Sequence, residues 1–115
     1  MSDGLADRWI DVLSLNELAK GEMAPIEVDG RTIALYRLAD DEVRATDNIC
    51  THAFAYLTDG WLEDGEVECP LHGGRFDVRT GAGLCAPIEE ALRVYEVRIE
   101  EGRILLALPS READG

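Results

Sequence analysis

The 115-residue sequence carries 24 acidic against 11 basic side chains, a formal net charge of −13, with 46% hydrophobic residues. A chain of this size is expected to fold around one core, without a separate catalytic domain. Its acidity argues against nucleic acid and anionic membrane, both of which attract basic surfaces, and points instead to a basic protein partner.

Residues 1–7 are polar and read as a frayed end. Strand-like stretches follow at 9–13, 24–28, 31–38 and 42–46. Between the first two, only 14–19 looks helical, with Ser14 and Glu17 spaced as a capping box over a turn or two. Asp29-Gly30 separates two alternating apolar runs and predicts a tight hairpin. Turn signals then crowd the middle of the chain: Asp59-Gly60, Asp64-Gly65, Gly73-Gly74, and Gly81 with Gly83. They suggest a subdomain inserted between flanking strands. Residues 92–99 and 103–108 flank Glu101-Gly102, a second hairpin signal. Leu92, Val94, Val97 and Ile99 keep no single period, which predicts a bulge or a change of buried face near Tyr95. Residues 110–115 form another polar end. No basic-then-apolar leader precedes the strands and no apolar run approaches a membrane span, so the expectation is a cytoplasmic protein.

Both histidines of the chain fall in one pattern: Cys50-Thr51-His52, sixteen residues, then Cys69-Pro70-Leu71-His72. Two loops, each giving one thiolate and one imidazole, can converge four donors on a small inorganic centre. A zinc site also uses two Cys and two His, but its pairs usually read Cys with Cys and His with His. A 2Fe-2S unit held by two thiolates on one iron and two imidazoles on the other suits the mixed pairs better. Cys85, the third cysteine, has no partner left for an internal disulfide and reads as a small buried apolar residue.

With Thr80-Gly81 and Cys85-Ala86-Pro87 after the run Cys69 to Asp77, the stretch from 46 to 87 resembles Rieske ferredoxins. It is most similar to the electron-carrier components of bacterial aromatic ring-hydroxylating dioxygenases. The resemblance implies an all-β Rieske fold, an antiparallel sandwich or barrel-like base with an inserted cluster-binding β subdomain. Residues 8–47 and 88–109 would be the base and 48–87 the subdomain, within a single domain over 1–115. One Rieske 2Fe-2S cluster per chain would be held by Cys50, His52, Cys69 and His72. The cysteines would bind the iron that stays ferric, and the histidines the iron that changes valence. Ala53, Phe54, Gly73, Gly74 and Pro87 would surround the cluster at a docking tip, with Phe54 equally readable as a buried loop anchor.

The resemblance further implies a one-electron carrier, not an enzyme, working between a flavin-dependent reductase and the Rieske centre of a terminal oxygenase with a basic docking surface. A ferredoxin of a di-iron aromatic monooxygenase and a small Rieske subunit of another oxidoreductase are the alternatives. The segment 45–74 supports such docking, because it contains no Lys or Arg while Asp47, Asp59, Glu63, Asp64, Glu66 and Glu68 are acidic. High-potential Rieske proteins carry an extra cysteine in each loop and Ser and Tyr hydroxyls near the sulfurs. Here Ala55, Leu71, Gly74 and Phe76 stand in those places. A potential toward the low end of the Rieske range, about −150 to +300 mV, is expected.

Overall fold

The computed structural model describes residues 8–51, 54–71, 73–85, 88 and 90–108. Ten strands fall into three antiparallel sheets: β1 (Arg8–Ser14), β10 (Arg103–Leu108) and β9 (Val97–Glu100) in the first, in that order. The second is ordered β2 (Met23–Val28), β3 (Arg31–Arg37), β4 (Val43–Asp47) and β8 (Val94–Tyr95). A small third sheet runs β5 (Trp61–Glu63), β6 (Glu66–Glu68) and β7 (Arg75–Asp77).

The hairpin signals hold. Asp29 and Gly30 take φ of 53° and 77°, and Glu101 and Gly102 take 51° and 76°, so each pair makes the turn whose twist matches its flanking strands. Asp64 and Gly65, at 54° and 78°, join β5 to β6 in the same way. Pro25 lies on β2, an edge strand, where its missing N–H costs no ladder bond. The helical expectation over 14–19 shrinks to one 3-10 turn, Leu15–Glu17, with the Glu17 carboxylate accepting from the Ser14 N–H at 3.4 Å.

β3 is the structural divide. Its central residues, Ile33 to Tyr36, are wholly buried on both faces. Side chains alternate across a strand, so Ile33 and Leu35 enter one core with Val43, Tyr95, Ile104, Leu106 and Leu108, between the first two sheets. Ala34 and Tyr36 enter another with Leu57, Val67, Phe76, Cys50 and Cys69. Two of the cysteines singled out above thus share one apolar interior beneath the small sheet.

The region 92–99 is two strands. Tyr95 pairs with Ala45 in the second sheet and Val97 with Leu106 in the first. At the crossing, the Glu96 carbonyl accepts from the Ala107 N–H at 3.0 Å. This is the change of face that the broken apolar period predicts.

Candidate metal centre

The two cysteine loops are built alike. Cys50 N–H donates to the Ala55 carbonyl at 2.9 Å, and Cys69 N–H donates to the Gly74 carbonyl at 2.7 Å. In each case a bond to the fifth residue onward closes a short loop behind the cysteine. Gly73 has φ +70°, a conformation that a β-carbon disfavours, and this lets the second loop turn back into β7.

The first loop is anchored by a residue that the motif did not single out. Asn48 is buried, its amide nitrogen donating to Thr32 Oγ1 at 3.1 Å and its Oδ1 accepting from the Thr58 N–H at 2.9 Å. Its own N–H donates to the Thr32 carbonyl and its carbonyl accepts from Leu57. Asn48 therefore fastens both ends of the first loop to β3. Thr51 Oγ1 ties the loop to the Glu90 carbonyl at 2.8 Å, the stretch leading back to the base. Gly60 does similar work for the second loop, since a β-carbon there would lie 1.9 Å from the Glu68 carbonyl oxygen and 3.1 Å from Pro70 Cδ. An Asn two residues before a cysteine and a Gly after an Asp are ordinary turn composition, so spacing alone marked Gly60 as a turn and neither residue as a loop anchor.

Cys50 and Cys69 are buried, and neither is in a disulfide. Burial pushes the Cys69 thiol up to about 11; the Leu71 N–H, 3.4 Å from its sulfur, opposes this, while the neighbouring Cys50 adds to it. The Cys69 thiol, in an apolar interior beside Cys50, resists ionisation on its own, and a cationic centre that neutralises it relieves the penalty. Both are soft donors suited to iron or zinc. The thiols and their environment therefore fit an iron–sulfur unit.

Sequence expectations are met unevenly around them. Phe54 is 82% exposed and is no buried anchor; its ring lies 6.4 Å from that of Tyr56, at an interplanar angle of 51°. Leu71 and Leu84 are also exposed. Gly74 is buried without the positive φ of Gly73. Cys85 corrects the expectation of burial: it is exposed, its sulfur 3.9 Å from the Gly73 carbonyl. It lies two residues beyond Gly83, which bridges to Phe76 and where a β-carbon would meet Ile88 at 2.4 Å. His52, Ala53, His72 and Pro87 lie outside the described residues.

The family model of the Rieske [2Fe-2S] domain matches residues 8–96. The chain belongs to this family. Its cofactor is accordingly a Rieske 2Fe-2S cluster, which sets aside the zinc reading. Among curated relatives, the ferredoxin component of the naphthalene 1,2-dioxygenase system of Pseudomonas aeruginosa is 45% identical over 104 residues, 90% of this chain and 99% of the relative. The ferredoxin of carbazole 1,9a-dioxygenase from Nocardioides aromaticivorans IC177 superposes with a TM-score of 0.82 at 40% identity, covering 86% of this chain and 96% of that one. A ferredoxin solved in complex with the reduced oxygenase of carbazole 1,9a-dioxygenase gives 0.81 at 34% identity, covering 86% and 92%. This Rieske chain is thus an electron-transfer ferredoxin of the type found in aromatic dioxygenase systems. Among its described residues no helix is long and apolar enough to cross a membrane.

Proposed function

We propose that the protein takes one electron at a time from a flavin-dependent reductase and delivers it to the Rieske centre of a terminal aromatic ring-hydroxylating oxygenase, in the cytoplasm. The observation that carries this reading is the pairing of two buried thiols on like-built loops with an exposed apolar rim at Phe54, Leu71 and Leu84. Cys50, Cys69, His52 and His72 would hold the cluster, within the segment 48–87, while 8–47 and 88–109 form the base. When bound, the cluster supplies a one-electron couple.

The chain's own residues do the rest. Leu57, Val67 and Phe76, all buried, exclude water from the sulfur side. Leu71 N–H donates to Cys69 Sγ, which stabilises negative charge there. Asn48 and Gly60 hold the loops rigid, so that little reorganisation accompanies a change of charge. Phe54 and Leu71 would give a partner a contact that displaces water, and Ala53, Gly73 and Pro87 are further residues assigned to this docking tip. The acidic side chains of 45–74 favour partners whose docking surfaces are basic, and the resulting attraction speeds encounter at low salt.

An EPR-monitored redox titration of the purified protein, followed by stopped-flow mixing of the reduced form with a terminal dioxygenase, tests this. A low-average-g rhombic signal near the bottom of the Rieske range, with electron transfer that slows as salt rises, is expected. A colourless, zinc-loaded protein, or a loaded one unable to reduce any dioxygenase Rieske centre, would overturn it.

A further inference from the structure

The outer face of the small sheet has no part in holding the loops, yet it carries an unusual combination of side chains. Leu62, Val67 and Phe76 point inward, so the alternate residues Trp61, Glu63, Glu66, Glu68 and Arg75 share the outer side. Trp61 is 59% exposed and lies directly across the ladder from Glu68, the residue before Cys69. With Asp64 at the turn, these residues line a shallow concavity of about 210 Å³. It abuts the second loop, since a β-carbon on Gly73 would lie 3.6 Å from Glu68 Oε2.

The chain's two tryptophans differ in how their faces are used. Trp9 carries the Arg98 guanidinium 4.3 Å from its ring centre. Trp61 has no such cation among the described residues. Arg75, the one basic residue on this face, reaches Glu66 at 3.3 Å and Glu68 at 3.9 Å instead. Glu63 and Asp64 have no cation partner among the described residues. An exposed indole ringed by carboxylates attracts a cation twice, through its π face and through the surrounding negative charge. Guanidinium suits it best, because it stacks flat on the ring while its edge donates to carboxylates. Tryptophan and arginine also recur as anchors at the centres of protein interfaces.

We propose that this face is a docking anchor for the terminal oxygenase, which inserts an arginine side chain over Trp61 between Glu63 and Glu68. The proposal rests on the function argued above and extends the contact from the exposed tip onto the sheet. Its closeness to the second loop means that one rigid partner surface can cover both. The charge complementarity is one-sided: the site offers indole and carboxylate, and only a basic partner satisfies it.

The test compares wild type with Trp61→Leu, Trp61→Ala and the double variant Glu63→Gln/Asp64→Asn, each cluster-loaded. Binding to the purified terminal oxygenase is measured by calorimetry, and electron transfer by stopped flow, at two ionic strengths. Trp61→Leu keeps a β-compatible apolar side chain and removes the π face. It should weaken binding about tenfold with the midpoint potential and visible spectrum unchanged. The double variant should weaken binding at low salt and flatten the salt dependence. Trp61→Leu binding and reducing the oxygenase like wild type, or the double variant keeping the wild-type salt slope, would overturn the anchor. Wild type failing to reduce the oxygenase at all would instead refute the functional reading, and the anchor with it.

Discussion

Replacing Gly60 by Ala puts a methyl group where the structure has none to spare. The added carbon would lie 1.9 Å from the Glu68 carbonyl oxygen, against an ordinary contact distance that begins at 3.4 Å. Something must therefore move by about 1.5 Å, and neither neighbour is the free end of a flexible side chain. One is the β6 backbone just before Cys69; the other is the Pro70 ring. Overpacking of this kind costs about 1–3 kcal/mol. In a domain of this size that lowers the melting temperature by about 5–15 °C. Thermal unfolding and EPR of the cluster-loaded variant read both consequences: a lower midpoint, and shifted or broadened g values as Cys69 is displaced. Gly21→Ala is the control. Gly21 has φ +80° but nothing within 4 Å of an added β-carbon, so it should lose stability through backbone strain alone and keep the wild-type EPR spectrum. A Gly60→Ala protein melting within about 1 °C of wild type with an unaltered spectrum would refute the argument.

Other perturbations read other parts of the molecule. Asn48→Leu removes the acceptor for the Thr58 N–H and should destabilise the protein by about 1–3 kcal/mol in urea unfolding, with faster loss of the visible chromophore. Gly74→Ser with Phe76→Tyr should raise the midpoint potential by about 40 mV per added hydrogen bond, taking ~1 kcal/mol each; a folded, loaded double variant with an unchanged or lower potential would contradict this. A thiol reagent applied to the native loaded protein should modify Cys85 rapidly and leave Cys50 and Cys69 untouched, as mass spectrometry of the digest would report. Burial raises the Tyr95 hydroxyl above the ordinary tyrosine value, and its hydrogen bond to Asp47 adds to this while Arg31 opposes it. Its contribution to stability is thus full below about pH 10 and lost as the pH climbs past that value. Tyr95→Phe should make the alkaline unfolding limb shallower, read by circular dichroism.

The base was largely legible because its signals are local. Alternating apolar runs and the dipeptides Asp29-Gly30 and Glu101-Gly102 need no tertiary context to predict strands and tight turns. The small sheet was legible only as its turns. Each of its strands has three residues and a single inward side chain, Leu62, Val67 or Phe76, which is too short for a period to register. The cysteines could be named from spacing, yet what steadies them could not, since Asn48 acts through Thr32 and Thr58, partners distant in sequence. The exposure of Phe54 agrees with a place at the tip and not with a buried anchor, whereas Cys85 ran against expectation because average burial of a residue type says nothing of its own position.

The pairing of β4 with β8 has a consequence for how such molecules diversify. Thr46 lies opposite Val94, and the Asp47 N–H bonds to the Arg93 carbonyl at 3.0 Å, so the chain leaves the base and returns to it at the same spot. Closing a loop costs entropy that grows only with the logarithm of its length, and here that closure is already made by the base ladder. The intervening stretch can therefore vary in length at small entropic cost, provided that what replaces it still covers Ala34 and Tyr36 as Leu57, Val67 and Phe76 do. Grafting the corresponding stretch from a carrier of different potential onto this base, cut at those two positions, is a direct route to resetting the redox couple without redesigning a fold.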